Sequence, residues 1–231
     1  MAVNNYYFKA RLFPTVLTSI PVIILYNKFV SILYHDKLEK IFSLLPSVTD
    51  IILSSAIIFL LVQVNRFLSK EIFQRLYFKD EKNMPTTNML LKSNNELEIS
   101  IKQKIEDKIK TKFGIDLLSI TDESSDESRA RKLITTVVSQ IRNVLRDNTL
   151  LLQHNIEYGF FRNLIGGSFL AFVISIIIVI LSYHTHDLTI RNLGWILTIV
   201  YFVPILCSKL IINRYGKYYA KILYEQFLTI T

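Results

Sequence analysis

The chain has 231 residues, 51% of them hydrophobic, a formal net charge of +8 and a mean hydropathy of +0.34, with only six Gly and five Pro. Apolar content this high, gathered into blocks, excludes an ordinary soluble domain and points to lipid as solvent. In a soluble protein the charge would raise nucleic acid as a partner; here the cations flank the apolar blocks, which assigns them to topology and anionic headgroups. Cys207, the only cysteine, lies inside an apolar block and cannot form an intrachain disulfide. Lys9 and Arg11 precede the first apolar stretch, but no small-residue cleavage site follows, so a cleavable signal is not expected.

The first apolar block runs from Leu12 to Tyr26, extended by Phe8, Phe29 and Val30 with Lys9 and Lys28 snorkelling. Pro14 and Pro21 predict a kink. Ser31 to Leu45 reads as a short interfacial helix with Lys37, Glu39 and Lys40 as its polar residues. The second block is Leu44 to Phe67. Phe161 to Tyr183 is the third, free of charge between Arg162 and His184. Leu193 to Ile212 is the fourth, with Pro204 near its middle.

Between the second and third blocks the pattern is helical and amphipathic. Ser69 to Phe78 prolongs the second block, Lys79 to Thr87 breaks it, and Pro85 marks a new start. Leu97, Ile101, Ile105, Ile109 and Phe113 form one apolar face at i, i+4 spacing, and Gly114 stops that helix. Ser124 and Glu127 match a capping box. From there Ala130, Ile134, Val137, Ile141 and Val144 follow a heptad-like seam, continued through Asn148, Leu151 and Asn155, so one helix of about 35 residues is expected to feed into the third span. There is no strand-type alternation.

The expected fold is all-α: an integral membrane protein with about four transmembrane helices and a cytoplasmic helical domain formed partly by helices continuous with the second and third spans. Residues 1–67 form an N-terminal membrane hairpin (spans about 10–30 and 44–67), 68–160 the cytoplasmic domain, 161–213 a C-terminal hairpin (spans about 161–183 and 193–212) and 214–231 a cytoplasmic tail helix. Of the 27 Lys and Arg, only Lys28, Lys37, Lys40 and Arg191 fall on one side of four spans. The positive-inside rule then places both termini and the central domain in the cytoplasm, with the chain in the cell inner membrane.

Several polar groups stand out. His184, His186 and Asp187 read either as half a zinc site or as a polar turn between spans. His154, Glu157 and Tyr158 read as a proton-transfer group or as a juxtamembrane collar. The chain has no Gly-x-Ser-x-Gly, His-Glu-x-x-His or Gly-rich phosphate loop, so neither an enzyme nor a cofactor is expected. Asn148 and Asn155 on the apolar seam would suit a helix packing against copies of itself, in a homo-oligomer, or a solvent-facing drift of the seam. Asp50, Gln63 and Asn65 serve a pore or span packing, with Asp50, a few residues from Pro46, alternatively at the headgroup level, and Gly166 and Gly167 allow close approach of spans. Arg129, Arg131, Lys132, Arg142 and Arg146 serve either an anionic ligand such as a nucleotide messenger or a solvated face near anionic lipid.

The stretch Gln153-His154-Asn155-Ile156-Glu157-Tyr158-Gly159-Phe160-Phe161-Arg162-Asn163-Leu164-Ile165-Gly166-Gly167, with Pro85-Thr86-Thr87 upstream, resembles small bacterial membrane proteins of similar layout. The layout also resembles the four-span effectors encoded beside nucleotide-signalling enzymes in bacterial anti-phage islands. That resemblance implies a cytoplasmic domain that senses an infection signal, a nucleotide messenger or a cytosolic sensor protein, and spans that then disrupt the membrane. The competing expectation is a non-conducting anchor that presents the helical domain to a cytosolic partner.

Overall fold

The computed structural model describes residues 2–32, 50–79 and 81–230, and the regular structure among them is helical throughout. The chain divides into two compact units, Val3–Phe73 with Gly159–Ser208, and Gln74–Tyr158 with Lys209–Thr231. Among the described residues three helices are long and apolar enough to cross a bilayer: Asn5–Val30, Thr149–His184 and Leu188–Leu206. A further helix, Asp50–Leu68, exposes Ile57, Ile58, Phe59 and Leu60 in one run, as a lipid-facing helix does. The interfacial helix expected over residues 31–45, with Lys37, Glu39 and Lys40, lies outside the described residues beyond Ile32.

In the first unit the N-terminal helix is not regular. It takes wide π-helical turns at Phe8–Leu12 and Tyr26–Val30, and its α-helical run is broken at Ser19 between Phe13–Thr18 and Ile20–Leu25. Proline explains the irregularity: Pro14 and Pro21 have no N–H and their rings crowd the carbonyls four residues back. Side chains take over some of the lost bonding. Thr15 Oγ1 donates to Arg11 O at 2.8 Å, Thr18 Oγ1 to Pro14 O at 2.9 Å and Ser19 Oγ to Val16 O at 2.8 Å. Phe29, Ile178 and Ile190 form a small apolar core farther along.

The second unit is built on helices Pro85–Leu90, Ile99–Phe113, Glu127–Val144 and Ser208–Thr229. Its core contains Leu90, Ile105, Ile109, Ile134, Val137 and Ile141, so the apolar stripes of the central helices do face inward. Gly114 ends its helix in the left-handed region at φ 66°, a conformation that strains residues with a Cβ and that glycine adopts freely. The same core takes Ala220, Leu223, Tyr224 and Phe227 from the tail. The tail helix is thus a structural member of this unit. Phe227 stacks on Phe113 at 5.8 Å, Tyr224 Oη donates to Thr86 O, and Lys108 Nζ reaches the carbonyls of Leu228 and Ile230. Burial pushes the Tyr224 phenol well above its ordinary range, so it remains a donor.

Three local expectations are corrected. The helix after the acidic-serine stretch is capped by Asp126, which accepts from Arg129 N–H at 2.9 Å; Ser124 instead bonds back to Ile120 O in a short helix, Ile120–Ser125, capped by Ser119. The seam does not run unbroken: the helix stops at Val144, which is exposed, and a new one starts at Thr149. Asn148 is the reason, because its Oδ1 accepts from Leu151 N–H at 2.8 Å, as an N-cap does. The fourth apolar helix is Leu188–Leu206. It ends just past Pro204, and the chain starts afresh at Ser208.

The loop between Leu91 and Asn94 is held from both sides. Glu123, itself buried, accepts from the N–H groups of Lys92 and Ser93 at 2.7 and 2.9 Å. Lys102, also buried, donates to the carbonyls of Leu91 and Asn94. Burial pushes the Lys102 amine below its usual 10.5, against the opposing pull of Glu106 and Glu123.

Two measurements check this packing. Phe227→Ala should destabilise the second unit by about 3–5 kcal/mol, seen as faster amide exchange over residues 99–144; unchanged exchange would mean the tail is not core. For Lys102, the unfolded chain holds a proton between the lowered value and 10.5 that the folded chain has released. Its contribution to stability therefore rises with pH across that window. Thermal unfolding of Lys102→Met should lose this upward slope.

Candidate functional site

Two constellations of polar groups stand out, one in each unit. The first is a polar seam among the apolar helices. Pro14 cannot donate to Ala10 O, and Pro21 cannot donate to Leu17 O. Asn163 Nδ2 donates to Ala10 O at 2.7 Å, and Tyr201 Oη donates to Leu17 O at 2.6 Å. For both Pro14 and Pro21, the carbonyl four residues before the proline thus finds a side-chain donor on another helix. Unmet carbonyls in lipid cost several kcal/mol in principle, so these pairings fix which helices lie against the N-terminal one.

The seam continues through Asn65, which donates from Nδ2 to Thr15 Oγ1 at 3.1 Å and Thr18 Oγ1 at 3.0 Å. Ser69 Oγ donates to Asn163 Oδ1 at 3.1 Å. Gly166 and Gly167 make room for it. A Cβ on Gly167 would lie 2.4 Å from Thr18 Oγ1 and 2.6 Å from Asn65 Nδ2, and one on Gly166 would lie 2.5 Å from Asn65 O. The structure therefore brings together Asn65, Gly166 and Gly167 as close packing of helices. Gln63 is half-buried beside them in sequence, and the side chain of Asp50 lies outside the described residues.

The second constellation is a polar cleft of about 380 Å³ within the helical unit. It is lined by Tyr77, Phe78, Asn83, Asn88, Arg131, Lys209 and Asn213. Phe78 ends its helix where Lys79 turns left-handed at φ 43°, and the return of the chain brings Asn83 round. Arg131 is locked. Its Nε and Nη2 lie 2.7 and 2.6 Å from Glu127 Oε1, and Nη1 donates to Lys82 O at 2.8 Å and Asn88 Oδ1 at 2.6 Å. Asn88 Nδ2 in turn donates to Asn83 O at 3.0 Å. Lys209 and Asn213 are exposed and have no hydrogen-bond or ion-pair partner among the described residues.

Of the five cations singled out as candidate ligand residues, only Arg131 lines the cleft. Arg129, Lys132 and Arg146 are exposed, and Arg142 is half-buried, 3.9 Å from Glu81 and 5.7 Å over the Tyr219 ring. The cleft residues from the tail and from the turn before Pro85 have no local signature. They meet only through tertiary packing.

Asn148 donates to Gln226 Oε1 at 2.7 Å besides capping its helix, so its side chain is engaged within the chain; Asn155 is half-buried. His154 Nδ1 lies 3.6 Å from Glu157 Oε2 on one helical turn. His184 and His186 are exposed, and Asp187 Oδ1 caps the next helix by accepting from Ile190 N–H at 3.0 Å. Among the described residues no group of three or more His, Cys, Asp or Glu gathers as a metal ion requires. No protein-family model, curated protein or solved structure matches the chain.

The seam can be tested by a double-mutant cycle. Tyr201→Phe should lower thermal stability in detergent by about 1 kcal/mol, a typical worth for one interhelical hydrogen bond in a membrane protein. In a Pro21→Ala background the cost should vanish, because the N–H restored by that substitution then meets Leu17 O. Equal costs in both backgrounds would sink this account.

Proposed function

We propose that the chain is a four-span inner-membrane effector in which occupancy of the cytoplasmic helical unit alters the packing of the spans and so the integrity of the membrane. In this reading Asp50–Leu68 is the additional span, and both termini and the helical unit are cytoplasmic, following the distribution of Lys and Arg. Enclosing a water-filled path requires several copies, since few polar residues lie in each chain's spans.

The observation that carries the reading is the helix Thr149–His184, 36 residues without a break. At about 1.5 Å per residue it is about 54 Å long, against a hydrocarbon core of about 30 Å. Its first turns place Leu151 in the core of the helical unit, and its later turns place Asn163, Gly166 and Gly167 in the polar seam. A ligand that binds one arrangement of the helical unit better than another shifts the equilibrium by its differential affinity. A stiff shared helix gives that shift a mechanical route to the spans. The resemblance to anti-phage effectors supplies the setting, and a neighbouring gene for a nucleotide-signalling enzyme would support it.

The test is dye release from liposomes holding the oriented protein. A cyclic dinucleotide, used as the probe for the nucleotide messenger that the resemblance implies, should raise leakage at least tenfold over buffer. Ile156→Pro, which interrupts the shared helix, should abolish the response while leaving membrane insertion intact. Vesicles that stay tight under every condition would favour a non-conducting anchor instead.

A further inference from the structure

We propose that the cleft at Arg131 binds a phosphate group, carried either by an anionic lipid headgroup or by a small soluble phosphate. This deepens the sensing reading by naming the ligand class, and it rests on that reading only for its consequence, not for the binding itself. Four observations support it.

The first is charge. The lining holds two cations, Arg131 and Lys209, and no carboxylate among the described residues. Glu127 neutralises part of the Arg131 charge through its contact with Nε and Nη2. Lys209 therefore supplies most of the net attraction, and its ammonium has three donors with no described partner. The second is pre-organisation. Four bonds hold the guanidinium in one orientation, which removes the ordering cost that a flexible arginine would incur on binding.

The third is the arrangement of the neutral groups. Lys209 and Asn213 are i and i+4 on one helix and share its face. With Asn83 and Asn88 also in its lining, the cleft combines side-chain amides with an ammonium. That combination suits an oxyanion with several acceptor oxygens better than an apolar or cationic ligand. The fourth is size. A volume of about 380 Å³ lies at the small end of ligand sites, room for a headgroup or a small phosphate ester but not for a protein segment. Lys209 also follows closely after Leu206, the last residue of an apolar helix of spanning length, which is where a headgroup phosphate is available.

The experiment uses the full chain in a neutral detergent, with two arms. In the lipid arm, native mass spectrometry compares retention of phosphatidylglycerol and phosphatidylcholine offered at equal concentration. In the soluble arm, inorganic phosphate is titrated and thermal unfolding is followed. Preferential retention of phosphatidylglycerol identifies the lipid source. A rise in melting temperature with phosphate, at equal lipid retention, identifies the soluble source.

In either case Lys209→Gln should weaken binding about tenfold, the usual cost of one charge-assisted contact. Lys132→Gln, exposed and outside the cleft, should leave it unchanged. The proposal is overturned if neither probe is distinguished from its control, or if Lys132→Gln is as damaging as Lys209→Gln. Binding that depends on Lys209 without any dye release in liposomes would uphold the site and sink the effector function. Dye release that persists undiminished in Lys209→Gln, with no phosphate or lipid selectivity, would sink the site and leave the effector function standing.

Discussion

The apolar unit is organised by what proline takes away. Pro14 and Pro21 remove two backbone donors from a helix that has the composition of a membrane span. A carbonyl deprived of its partner among apolar helices has few remedies, and here each is met by a side chain from another helix, Asn163 for Ala10 and Tyr201 for Leu17. The remaining polar groups follow from that docking. Once Asn163 is fixed, Ser69 can reach its Oδ1, and Asn65 falls against Thr15 and Thr18. Gly166 and Gly167 keep the helices close enough for such short side chains to span the gap.

The helical unit depends on a different device. Its central helices expose an incomplete core that the tail helix closes with Leu223, Tyr224 and Phe227. The cleft arises from the same packing, since Lys209 and Asn213 come from the first turns of that helix and meet Arg131 from the middle of the sequence. Closure of the core and assembly of the cleft are one event, which ties any ligand at the cleft to the stability of the whole unit.

Much of the secondary structure was legible because its signals are local. The Ile105 and Ile109 stripe, the Gly114 stop and the Pro85 start each depend on a few neighbouring residues. Asn148 shows where locality misleads. It fits a seam position seven residues after Ile141, and it is also a strong N-cap; the cap prevails because Arg146 and Asp147 are polar neighbours that prefer a solvated turn. The tail carried its signal openly, with Ala220, Leu223, Tyr224 and Phe227 at helical spacing, but a stripe does not say which surface it will cover. The kink at Pro14 and Pro21 was readable and its partners were not, because the register between helices decides which side chain reaches a freed carbonyl. The cleft was illegible for the same reason. Only Arg131 among its residues sat in a conspicuous basic cluster; Arg129, Lys132 and Arg146 are exposed, and Arg142 lies near Glu81 and Tyr219.

The proline carbonyls also impose an order in time. Synthesis runs from the N-terminus, so the helix bearing Ala10 and Leu17 leaves the ribosome long before Asn163 and Tyr201 exist. During that interval both carbonyls need some other partner. The first apolar helix therefore carries two carbonyls whose side-chain donors only the last third of the chain can supply. A product truncated before Asn163 would lack both donors and leave these two carbonyls to other partners, at the very end of the chain that was made first.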